Sequence, residues 1–170
     1  MKITVLVIVI LLIAGGAGVY ADGAKQPVNH SVSVTGLVNA PPEKVFSLIT
    51  DVADGSHWRP AVKSVTVLQK DNNRDHWVEH LDHGQYMTFL ATRTDPPIRR
   101  DVMLDDPNAS YGGTWTYELA PGPAPSTTTL KITETGFIKP PIYRFIMTHV
   151  FGMTHNLDQY MHDIQAAARK

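Results

Sequence analysis

The stretch from Pro140 to Arg169 constrains the fold more than any other part of this 170-residue chain. Ile142, Phe145, Ile146, His149, Val150, Met153, Leu157, Tyr160, Met161 and Ile164 recur there at helical spacing, which marks one long helix with a single stripe. Two prolines at its first turn cost nothing, because the first N–H groups of a helix lack partners anyway. Gly152 sits in the middle and weakens the pattern by ~1 kcal/mol relative to alanine. A stripe of this length must be covered, and nearly everything ahead of it reads as strand.

His30 to Val38 alternates, with Val32, Val34 and Val38 on one face. Asn39 to Ile49 then reads as a short helix, with Val45, Phe46 and Ile49 as its apolar stripe and Glu43 suiting the positive end of its dipole. Asp51 to Trp58 is a second short turn or helix, closed by Pro60. Six strand-like runs follow: Val62 to Gln69, His76 to Leu81, Gln85 to Thr94, Ile98 to Leu104, Gly112 to Leu119 and Thr128 to Ile138. Asp82-His83-Gly84 and the proline-rich Pro121 to Ser126 read as hairpin loops between neighbours. Consecutive hairpins make an antiparallel sheet, and helices can then cover only one of its faces. The fold class is α+β.

Residues 3–21 carry no charge and follow a single Lys2. As a helix they would rise about 28 Å, near the ~30 Å of a bilayer core, while the strongly apolar part, Ile3 to Ala14, matches a signal-peptide core. A membrane anchor and a cleaved signal peptide (residues 1–21) explain the run almost equally well, with the anchor slightly favoured. The first holds an exported domain at the inner membrane of the cell envelope; the second releases it as a periplasmic or secreted protein. Residues 22–29 read as a polar tether, and 30–170 as one domain. The net charge of −1 argues against a nucleic-acid binder. The absence of cysteine removes disulfides, thiolate metal sites and Cys nucleophiles.

Several stretches resemble the START-like superfamily, the polyketide cyclase/dehydrase and lipid-transport proteins. Ala40-Pro-Pro-Glu43-Lys-Val-Phe46 with Thr50-Asp51 is similar to the family's first helix, and Trp58-Arg-Pro-Ala-Val62 to the start of its second strand. Gly112-Gly-Thr-Trp115-Thr-Tyr-Glu118 is similar to a late strand, and Thr133-Glu134-Thr-Gly136-Phe-Ile138 with Pro140 to Phe145 to the junction into the last helix. The resemblance implies a helix-grip fold, a curved antiparallel sheet around a long C-terminal helix, enclosing a cavity for an apolar small molecule. Members include lipid carriers, receptors, cyclases and co-chaperone modules, and only site residues choose among these.

Strand alternation supplies the candidates. Leu130, Ile132 and Glu134 share one face, as do Met87, Phe89, Ala91 and Arg93, and as do Trp77, Glu79 and Leu81. Glu79, Arg93 and Glu134 would then form an internal charge cluster, acting as ligand anchor, proton-transfer site or plain salt bridge. The expected ligand-binding residues are Trp58, Trp77, Glu79, Met87, Phe89, Arg93, Trp115, Tyr117, Glu134, Phe145, His149 and Met153, with Glu134 and His149 the candidates for an acid or base. His76, His80 and Asp82 read as an outer face and not as a metal site, so neither metal nor cofactor is expected. The sequence thus points to a monomeric binder of an apolar small molecule or lipid, with membrane contact through the N-terminal segment. A cyclase or hydrolase using a cavity acid, and a chaperone-like module, are the alternatives.

Overall fold

The computed structural model describes residues 15–70 and 74–169. Residues 15–25 are helical (α1). They lead into β1 (Asn29–Val38), then α2 (Pro42–Thr50), a single 3-10 turn, and α3 (Gly55–Trp58). The strands β2 (Val62–Gln69), β3 (His76–Leu81), β4 (Tyr86–Asp95), β5 (Arg99–Leu104), β6 (Tyr111–Pro121) and β7 (Thr128–Ile138) follow. The chain ends in α4 (Pro141–Ile146), a π turn (Met147–Phe151) and α5 (His155–Ala168).

All seven strands form one antiparallel sheet in the order β1-β7-β6-β5-β4-β3-β2. The strands from β2 to β7 are consecutive meanders, as hairpin chemistry requires, whereas β1 reaches the far edge to pair with β7. The expected α+β helix-grip architecture is what the chain adopts. α2 and α5 cover the concave face, burying Val45, Phe46 and Ile49 from the first and Leu157, Met161 and Ile164 from the second. From the sheet, Ala91, Leu130 and Ile132 meet them with almost no exposure.

The C-terminal helix is not continuous. Gly152 takes φ 88° and ψ 144°, conformations that side-chain-bearing residues avoid, and the turn before it is π-wound. One helical periodicity therefore runs through two helices, because side-chain spacing survives a break that only backbone angles reveal.

The hydrophobic segment 1–21 lies mostly outside the described residues, which begin at residue 15. Among the described residues no helix is long and apolar enough to cross a membrane. Residues 22–25, expected within a tether, form the last turn of α1, and Gly23 is buried against α4. There the Arg144 guanidinium, itself buried, donates from Nε to the Gly23 carbonyl at 2.9 Å and from Nη1 to the carbonyls of Ile138 and Lys139. A cation set among carbonyls at a helix C-terminus offsets the negative end of the dipole.

Candidate functional site

Between the concave sheet face, α3 and the C-terminal helices lies a cavity of about 500 Å³. That is the size of a small-molecule site. Its middle is aromatic. Trp77 stacks on its cross-strand partner Phe89 (ring centroids 5.6 Å apart), and Phe89 meets Trp115 edge-on at 5.8 Å. Met87, Val102 and Met153 complete this apolar wall.

Two polar clusters interrupt it. On β3, Glu79 is almost fully buried, accepts from Trp77 Nε1 at 3.2 Å and pairs with Arg59 Nη1 at 2.5 Å. Arg59 caps the end of α3 just before Pro60, and its guanidinium lies over the Tyr160 ring, 5.2 Å from the centroid. Burial disfavours the guanidinium charge, but Glu79 outweighs it and holds Arg59 above its ordinary value. Tyr117 and Tyr160 lie beside this pair with ring centroids 5.4 Å apart. Burial pushes the Tyr117 phenol well above its usual range, and that of Tyr160 upward as well. Both stay protonated donors at neutral pH.

The second cluster is centred on Glu134 of β7. Its Oε2 accepts from Nε1 of Trp115, the residue directly opposite on β6, at 3.1 Å. Its Oε1 meets His30 Nε2 at 3.0 Å. β1 places His30 two residues from Val32, which is Glu134's register partner, so the contact is a diagonal cross-strand pair. Both carboxylates line the cavity: Glu134 has both oxygens engaged, whereas Glu79 takes both of its contacts on Oε1.

Trp58, Trp77, Glu79, Met87, Phe89, Trp115, Tyr117, Glu134 and Met153 all line this cavity. Arg93 does not. Between Ala91 and Arg93 the β4–β5 register shifts, so two steps on β4 answer one on β5, and the alternation inverts. Arg93 is turned outward, pairing in solvent with Asp95 at 2.5 Å, and the expected three-member charge cluster is replaced by Arg59–Glu79 and His30–Glu134. Phe145 and His149 also stand outside the cavity lining. His149 is exposed and meets Asp22 Oδ2 at 2.8 Å, while Phe145 packs beside it and against Gly23. His149 lies in the π turn, which aims its side chain toward α1 instead of the sheet.

Arg59, Tyr160 and His30 are cavity residues that sequence reasoning left out. Tyr160 was on the helical stripe and His30 on the alternating face of β1, so both carried a signal. Nothing local marks Arg59. His76 and His80 point to separate partners, Asp105 and Thr66, and among the described residues no group of three His, Cys, Asp or Glu side chains gathers to hold a metal ion.

A family model described as polyketide cyclase / dehydrase and lipid transport matches residues 38–154, from the end of β1 to the start of α5. The chain belongs to this polyketide cyclase/dehydrase and lipid-transport family. Solved structures share the family's fold at low identity. An aromatase/cyclase from Streptomyces superposes with a TM-score of 0.68 at 16% identity, covering 83% of this chain and 94% of that one. A START superfamily protein from Mycobacterium smegmatis gives 0.56 at 22% identity, covering 82% and 93%. Norcoclaurine synthase from Thalictrum flavum gives 0.64 at 10% identity, covering 88% and 91%. A search of curated proteins finds no significant match.

Proposed function

We propose that this chain binds, and carries, an apolar small molecule or lipid in the cavity between sheet and C-terminal helices. One observation carries the reading. The cavity wall is mostly aromatic and aliphatic, and the two glutamates in its middle are held by neighbours within it: Glu79 by Arg59 and Trp77, Glu134 by His30 and Trp115. Such a site gains affinity chiefly from buried apolar area. The charge-free residues 3–21 support a place at the cell envelope, as anchor or export signal, where apolar ligands are found.

Titrating the purified chain with an environment-sensitive apolar dye tests the reading, alongside native mass spectrometry for a co-purified ligand. Saturable binding of one dye per chain is expected, and Met87→Arg, which pushes a charge into the cavity, abolishes it. No binding by a chain that melts cooperatively would refute the proposal and favour a non-binding, chaperone-like module. A cyclase-type enzyme is the second reading, supported by two carboxylates facing one cavity together with the tyrosine pair. It requires that Glu134→Gln abolish turnover while dye binding persists.

A further inference from the structure

The segment Pro141–Phe151 has two unlike faces. Arg144, Phe145 and His149 turn toward α1, where Arg144 holds the Gly23 carbonyl and His149 meets Asp22. Gly23 lies so close to the Pro141 carbonyl that a Cβ would not fit. The other face repeats every four residues as Ile142, Ile146, Val150 and as Tyr143, Met147, Phe151. Ile142, Tyr143, Val150 and Phe151 are 47%, 52%, 63% and 56% exposed. Single exposed apolar side chains are ordinary, but four on one eleven-residue segment form a patch that calls for a partner.

Three further observations define that partner. Tyr143 and Met147 also line the cavity, so the patch sits at its rim. No acidic residue lies between Pro140 and Phe151, and the nearby Asp22 is paired with His149 on the opposite face. The helix pinned to this segment, α1, directly follows the charge-free residues 3–14 in the sequence.

We propose that this patch is the face the domain lays on a lipid bilayer, with the cavity rim turned to the membrane. The inference rests on the apolar-ligand reading and adds the route: a ligand passes between bilayer and cavity without crossing water. The π turn and the backbone break at Gly152, which has open space around it, give the segment a joint on which to swing.

The chain has no cysteine, so one introduced thiol carries one dye. Full-length chains bearing Phe151→Cys, or Leu68→Cys on edge strand β2 as reference, are labelled with nitrobenzoxadiazole and mixed with phosphatidylcholine/phosphatidylglycerol vesicles. At position 151 the emission shifts to the blue, brightens several-fold and is quenched by lipids spin-labelled on the acyl chain, whereas position 68 does not respond. A chain that sediments with vesicles while the dye at 151 stays in water overturns the docking face but leaves membrane attachment standing. A chain that does not sediment overturns both. Blue-shifted emission at 151 without vesicles means that residues 1–14 or a second copy cover the patch, and also overturns the proposal. Dye binding in the cavity is measured separately, so failure of the ligand reading is distinguishable from each of these.

Discussion

Replacing Gly152 by alanine asks whether the C-terminal helix is truly two helices. In a regular helix the substitution stabilises, because alanine is about 1 kcal/mol better than glycine in a helix interior. At φ 88° and ψ 144° the same methyl is forced into a region that only glycine occupies freely, at a cost of about 1–3 kcal/mol. No atom lies within 4 Å of the position a Cβ would take, so neither a clash nor new packing confuses the result. The two architectures therefore differ in the sign of the effect. For a chain of this length each kcal/mol moves Tm by about 2–4 °C, which places the expected fall at roughly 2–12 °C. Paired thermal and urea melts of wild type and Gly152→Ala measure it, with an unchanged urea m-value showing that the denatured state is not the cause. A rise in Tm would refute the break and restore one continuous helix.

Glu79→Gln removes the partner of Arg59 inside the cavity wall and should cost about 2–4 kcal/mol, less than a fully sealed pair because Arg59 keeps some contact with solvent. Arg93→Ala, on the outer face with its partner Asp95 in water, should change stability by less than about 0.5 kcal/mol; equal losses in the two urea titrations would show that the faces have been exchanged. Tyr117 and Tyr160 have folded-state pKa values raised above those of the unfolded chain, so their contribution is complete below about pH 10 and is lost as pH climbs through the folded values. Phenolate absorbance should therefore lose a late-ionising component in the Tyr117→Phe and Tyr160→Phe variants, together with a loss of wild-type stability in that window; unchanged titration curves for both variants would contradict their burial.

The hairpins and the inward faces of β3 and β7 were legible because alternation is a local property: Trp77 and Glu79, or Leu130, Ile132 and Glu134, fall inward as their spacing says. Arg93 was misplaced by a single bulged residue, for which Ala91-Thr92-Arg93 gives no chemical cue. His149 was misplaced because a π turn re-aims a stripe without altering its spacing. The two ionic contacts of the cavity were illegible for a different reason. Arg59 finds Glu79, and His30 finds Glu134, only through tertiary neighbours: β2 folding against β3, and β1 crossing to β7.

The placement of β1 also bears on how the chain assembles. His30 and Glu134 are 104 positions apart, yet they meet across adjacent strands. Closing a loop of that length costs about 2 kcal/mol more than closing a ~10-residue hairpin, by the logarithmic growth of closure entropy. The meander from β2 to β7 can zip locally, whereas β1 gains its partner only after the last strand exists. During synthesis the free edge of β7 and the unpaired first strand are therefore the surfaces most open to mispairing. The same late step brings His30 to Glu134, so the Glu134 end of the cavity is finished only when the whole domain is.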